Sequence, residues 1–322
     1  MGKATNGWIS GFVGMLIFSG SLPATRVAVI GLDPIFVTTA RAAIAGTIGL
    51  AMLLLLRERR PKREDLSSLL IVALGSVIGF PLLTALALRH ISSAHSLVFI
   101  GLLPLSTAIF GMLRAGERPR LPFWLFSILG STLVVGYAAA HSIEASPVGD
   151  LLMLAAIVMS GLGYAEGGRL SRTLGGWQVI CWALVLSLPV MLAIAALRIP
   201  TPFDEVGIPA WIGLAYISIF SMLIGFVFWY RGLALGGIAA VGQLQLLQPF
   251  FGLGLAAVFL DEAVSWTMLV VTLGIVVCVA GARRFAAGPR SKTAGVAYGS
   301  CGKSAKTRDD TLGISLSRSR SR

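Results

Sequence analysis

Residues 101–120, GLLPLSTAIFGMLRAGERPR, decide the fold once they are set beside residues 246–265, LLQPFFGLGLAAVFLDEAVS. Each stretch is apolar for most of its length, carries one proline and runs into a glutamate. Pro104 and Glu117 recur as Pro249 and Glu262, both after 145 residues. Laying 95–138 over 240–283 also pairs Leu102 with Leu247, Val134 with Val279 and Gly136 with Gly281. Leucine and valine coincide readily in apolar sequence. A proline, a glutamate and a glycine in one register do so far less, and the chain is read as an internal repeat.

Composition says which solvent that repeat folds in. Of 322 residues 56% are hydrophobic and only 12% are charged, whereas soluble domains carry about a quarter charged residues. So much apolar sequence points to a bilayer. The net charge of +12 is uneven, because ten Lys/Arg against Asp309 and Asp310 lie from Arg283 onward. Basic residues do not interleave with aromatics on a soluble face, so nucleic acid is excluded as a partner. Cys181, Cys278 and Cys301 have no ligand spacing, and His90, His95 and His141 form no metal constellation, so no cofactor or metal is expected. Lys3 ahead of an apolar run imitates a signal peptide, but with so many hydrophobic segments following, a first membrane helix is the simpler reading.

Apolar windows of about 17–25 residues mark membrane helices. They fall near 8–28, 34–56, 66–88, 93–113 and 121–140, then near 148–167, 176–197, 209–230, 238–260 and 264–282. Trp8, Trp124, Trp177, Trp211, Trp229 and Trp266 lie near the proposed ends, as an interfacial aromatic belt would have them. With the N-terminus cytoplasmic, the cytoplasmic segments before the tail hold twelve basic residues against Arg26, Arg89 and Arg198 outside. That bias follows the positive-inside rule and places both termini in the cytoplasm, in a multi-pass cell (inner) membrane protein. Residues 283–322, ending SLSRSRSR, read as a basic, disordered cytoplasmic tail, either solvated or drawn to anionic headgroups.

The fold expected is therefore an all-α membrane protein of ten transmembrane helices. It divides into a first repeat over 8–140 and a second over 148–282. Five spans per half turn the second copy upside down, giving the inverted-topology repeat that many secondary transporters use.

The residues then carry a family resemblance. ALRHISSAHSLVFIGLLPLSTAIFGMLRAGERPRLPFWLFSILGSTLVVG resembles the core signature of the drug/metabolite transporter superfamily in its EamA branch. LALGGIAAVGQLQLLQPFFGLGLAAVFLDEAVSWTMLVVTLGIVVCVAG repeats it, and SPVGDLLMLAAIVMSGLGYAEGGRLSR is similar to the opening of the family's second repeat. Arg41, in ARAAIAG, stands where the family's second helix commonly has arginine. Asp261 precedes Glu262 in place of the usual glycine, and no Trp-Gly pair opens helix 1. The resemblance covers about 8–283 and implies a carrier for amino acids, other metabolites or toxic compounds.

Polar side chains inside helices are the candidate site, since intramembrane ionisable groups are costly. Arg41, about 10 Å into the bilayer at 1.5 Å per residue, either holds a substrate carboxylate or snorkels to headgroups. Glu166 is either a proton-coupling carboxylate or an ion pair for Arg169, three residues on. Ser19 and Ser21 around Gly20, ahead of Pro23, would loosen helix 1 and bare its carbonyls. Gln245 and Gln248, with Gln243 nearby, bind a ligand or glue helices. Tyr164 and Trp182 offer aromatic surface to an apolar solute or pack against neighbouring helices. Pro104 and Pro249 are expected to bend helices 4 and 9, and Glu117 and Glu262 to mark opposite interfaces. Gly75/Gly79, Gly163/Gly167 and Gly232/Gly236 carry the GxxxG spacing of close helix approach.

The reading is a secondary transporter exporting a small amphipathic metabolite, such as an amino acid, by alternating access. Its partners would be that solute and lipid, with a homodimer left open. A multidrug efflux carrier is the alternative, and a channel or non-transporting scaffold is the alternative of another class. No GxxxxGK[ST], HExxH or GxSxG motif is present, which argues against a pump or an enzyme.

Overall fold

The computed structural model describes residues 2–87, 90, 91, 93–141, 146–200, 206–252, 254 and 266–286. Among them all regular structure is helical. Six helical segments are long and apolar enough to cross a membrane. They are α1 (Lys3–Gly31), α2 (Pro34–Leu55), α3 (Arg63–Ala87), α7 (Pro147–Leu170), α8 (Gly176–Leu197) and α9 (Ile208–Gly236). Between α3 and α7 run α4 (Ser93–Ile100), α5 (Leu103–Ala115) and α6 (Leu121–His141). After α9 come α10 (Ile238–Gly242), a 3₁₀ turn over Gln243–Leu247, and α11 (Trp266–Phe285). Large apolar side chains such as Ile30, Leu55, Leu151, Val190 and Leu273 stand exposed on the outside. Water would not tolerate that surface, whereas lipid does, and the chain is a multi-pass membrane protein.

Connections sort to two ends. At one, Arg283 lies 4.7 Å over the Trp8 ring, Arg120 N–H donates to Phe285 O at 3.1 Å, and Arg172 bonds Glu117. Gln178 reaches Glu58 at the same end. At the other, His95 Nε2 meets Asp150 Oδ1 at 2.9 Å, and Val206 approaches Gly31.

Glycine sets two crossings. A Cβ on Gly75 of α3 would stand 2.8 Å from Cα of Gly163 in α7. One on Gly232 of α9 would stand 2.6 Å from Cα of Gly11 in α1. Both approaches are closer than any side chain allows.

Two features were not expected. Residues Ala73–Gly79 of α3 and Tyr216–Gly225 of α9 wind as π-helix, so the underwound turn recurs at nearly the repeat spacing. Such bulges concentrate at functional sites. Trp229, assigned above to the interfacial belt, is instead wholly buried beside Phe18 and Tyr164. It lies two turns before the end of α9, because the helix runs to Gly236 rather than stopping near 230.

Pro104 does not bend a continuous helix. The chain breaks at Gly101–Leu102, and Pro104 enters the first turn of α5, where its missing N–H has no partner to lose. Pro249 follows the 3₁₀ turn, in which Gln248 N–H donates to Gln245 O, the carbonyl proline would have left bare. Each proline is thus preceded by a tightened turn, and Leu102 N–H donating to Phe99 O at 2.9 Å is the first-half counterpart.

Candidate functional site

The predicted polar residues fall into two groups. In the first, Arg41 of α2 and Tyr164 of α7 lie within electrostatic reach of one another. Arg41 is half-buried, yet its Nε is sealed from solvent without a hydrogen-bond partner. Tyr164 packs edge-on against Phe226 and Trp229, with ring centroids 5.8 and 5.7 Å away. Trp229 Nε1 is also buried without a partner. A guanidinium Nε and an indole N–H, both donors, are thus buried here with nothing to donate to.

Gln243 and Gln245 extend the pattern. They are 0% and 1% exposed, and neither side-chain oxygen nor nitrogen of either finds a partner among the described residues. An unsatisfied buried polar group costs about 1–3 kcal/mol. Side chains kept at that cost are apt to be completed by a ligand. Gln248 is half-buried beside them in sequence.

The serines Ser19 and Ser21 stand on either side of a helix break. Helix α1 is interrupted at Gly20. Tyr216 of α9 donates its hydroxyl to Ile17 O at 3.0 Å, satisfying one carbonyl there. Ser21 Oγ donates to Ser221 Oγ at 2.8 Å, and Ser19 Oγ turns back to Met15 O at 3.0 Å. Trp182 packs against the main core.

The second group is an ionic network. Glu166, fully buried, accepts from Arg114 Nε of α5 at 2.9 Å and from Arg169 Nη2. Arg169 Nη2 also donates to Ser68 Oγ of α3 at 2.8 Å. Glu117 follows Gly116, whose φ of 66° ends α5 in the left-handed region glycine favours. Its carboxylate accepts from Ile238 and Ala239 N–H at 2.8 Å each, and from Arg172 Nη2 at 2.5 Å. An anion at the open N–H groups of α10 also meets that helix's dipole. Glu166 and Glu117 do not join the Arg41 cluster. Glu262 lies outside the described residues.

Sequence reasoning missed Trp229, the Arg114–Glu166 pair and the bond from Tyr230 hydroxyl to Ser76 Oγ at 2.9 Å. Part of the last was detectable, since Ser76 and Ser221 stand 145 residues apart. Each lies in a π-helical segment and bonds a residue of the opposite half.

Known proteins place this geometry. Residues 5–136 and 147–283 each match the EamA-like transporter family. An uncharacterized transporter, YdeK of Bacillus subtilis, is 64% identical over 286 residues, 89% of this chain and 100% of that protein. A probable terminal-alkyne amino-acid exporter of Streptantibioticus cattleyicolor is 24% identical, over 77% of this chain and 83% of that one. A crystal structure with 22% identity shares the fold at a TM-score of 0.73, covering 88% of this chain and 98% of the other.

Proposed function

The chain belongs to the EamA-like transporter family of the drug/metabolite transporter superfamily, and on that premise we propose that it exports a small amphipathic metabolite, such as an amino acid, by alternating access. The observation that carries the proposal is Arg41. Its unpartnered Nε faces no protein acceptor, so a substrate carboxylate can take that place. Tyr164, Phe226 and Trp229 would wall the apolar part of the solute, and Gln245 and Gln248 would bond its polar groups. Arg41 comes from the first half of the chain and the aromatic wall from the second. Rocking the halves therefore carries the site between two openings. For transport to continue, the two states must bind the solute with similar affinity.

The architecture proposed is ten crossings, with repeats at 8–140 and 148–282 and a basic tail over 283–322, both termini lying in the cytoplasm of an inner-membrane protein. The sorting of connections to two ends supports it. The end bearing Arg57–Arg63 would then be cytoplasmic, closed by the Glu166 and Glu117 networks. As a coupling group Glu166 would have to release both arginines when that end opens. The amino-acid exporter among the relatives supports the solute class.

Counterflow of labelled amino acids in proteoliposomes, with Arg41→Ala alongside, tests the proposal. Saturable exchange by the natural protein and its loss in the variant are expected. Unsaturable flux, or exchange unaffected by the substitution, would sink it. Exchange of bulky cations alone would favour the multidrug alternative.

A further inference from the structure

The ion-paired end carries a cleft that the Arg41 cluster does not use. It encloses about 410 Å³ between Glu64, Asp65 and Ser68 of α3 and Arg169, Arg172 and Thr173 around the end of α7. Leu170 completes its wall. Its charges are separated by sign: carboxylates stand on the α3 side and guanidinium groups on the α7 side.

These charges do not neutralise each other across the gap. Glu64 pairs with Lys62 at 3.2 Å, both side chains well exposed. Asp65 makes no side-chain hydrogen bond or ion pair among the described residues. Arg169 and Arg172 turn away to Glu166 and Glu117, each through Nη2. A guanidinium has five N–H donors in a fixed fork, so both keep donors to offer. Arg169 Nε in particular is buried without a partner.

A cavity with donors on one wall and carboxylates on the other matches a solute that carries both charges. We infer that this cleft is a recognition site for small zwitterions, separate from the Arg41 site and at the mouth such a solute must pass. The solute's carboxylate meets Arg169 and Arg172, its ammonium meets Asp65 and Glu64, and its side chain lies along Leu170. Arg169 also ties α3 to α7 here through Ser68 and Glu166, and its remaining donors let the solute dock without breaking that tie. The inference rests on the reading of the chain as an exporter of amphipathic metabolites.

The test uses the full-length protein in proteoliposomes, with Thr173→Cys in a Cys301→Ser background. Cys181 and Cys278 are buried and stay unreactive. Maleimide labelling of Thr173→Cys is measured with each standard amino acid except cysteine, whose thiol would consume the reagent, and with its amide and its N-acetyl form. The amide lacks the carboxylate, and the N-acetyl form lacks the ammonium. Several-fold protection by an amino acid, but not by either derivative, is expected. It should survive Arg41→Ala and be lost in both Asp65→Asn and Arg172→Gln. Equal protection by a derivative, or protection indifferent to Asp65→Asn and Arg172→Gln, overturns the site. So does an amino acid that undergoes counterflow in the natural protein yet gives no protection, and that result leaves the transport reading standing. Absence of counterflow and protection for every amino acid sinks both.

Discussion

The ion-paired end and the Arg41 cluster meet the same physical problem and resolve it in opposite ways. Both place charged or hydrogen-bonding groups where water is scarce. At the ion-paired end the two networked carboxylates are supplied with donors: Glu166 has two arginines, and Glu117 has an arginine and two backbone N–H groups. Around Arg41, Arg41 Nε and Trp229 Nε1 are left open, and the Gln243 and Gln245 amides are likewise buried without partners among the described residues. A satisfied network holds helices together and loses stability when cut. An unsatisfied one weakens the fold and gains when a ligand supplies what is missing. On the proposed reading, Arg41 is a residue that waits for a solute, whereas the buried carboxylate Glu166 shapes the protein.

The largest effect that could break this comparison is expected at Glu166. Glu166→Ala leaves Arg114 and Arg169, 42% and 39% exposed, without their shared acceptor, and losing charge-assisted hydrogen bonds of this kind costs about 2–3 kcal/mol. The melting temperature of the purified protein in detergent should fall sharply, and an unchanged value would mean that the network is ornamental. Arg41→Ala should do the reverse. It removes a cation with no carboxylate partner, so Tm should hold or rise while counterflow drops by about tenfold or more, roughly 1.4 kcal/mol. A fall in Tm matching that of Glu166→Ala would move Arg41 among the structural residues. Glu117→Gln keeps an acceptor at the start of α10 but loses the charge, and the cost should be about 1 kcal/mol. The Tm shift should lie well below that of Glu166→Ala; equality would show that the two networks act as one. Smallest of all, Gln245→Leu should leave stability within about 1 kcal/mol of the natural protein. It should instead raise the KM for the solute several-fold. A large destabilisation would identify Gln245 as helix glue.

Much of the fold could be read in advance. The spans drawn at 34–56 and 176–197 correspond closely to Pro34–Leu55 and Gly176–Leu197, because long apolar windows are bounded by charges and by proline or glycine. The pairing of Glu166 with Arg169 follows from i,i+3 spacing on one helix. Arg114 is 52 residues from Glu166, and no local rule connects them. Likewise Ser21 bonds a serine 200 residues away, a contact no local pattern announces. Trp229 was placed at an interface from its distance to an expected helix end, and a helix six residues longer put it inside.

The sequence by itself determined the solvent and the repeat, since hydropathy and a 145-residue offset are properties of the chain in one dimension, and its ordered motifs carried the resemblance to the family. Only the tertiary structure decided which polar groups are satisfied and which stand open. In a soluble helix an apolar stripe announces the buried face. Here lipid and protein interior are both apolar, so the stripe is faint and a residue's facing is not legible. Helix rotation, crossing at Gly75 and Gly232, and the π-helical turns set those facings. That is why Arg41 and Glu166, alike as lone intramembrane charges on paper, end with opposite surroundings.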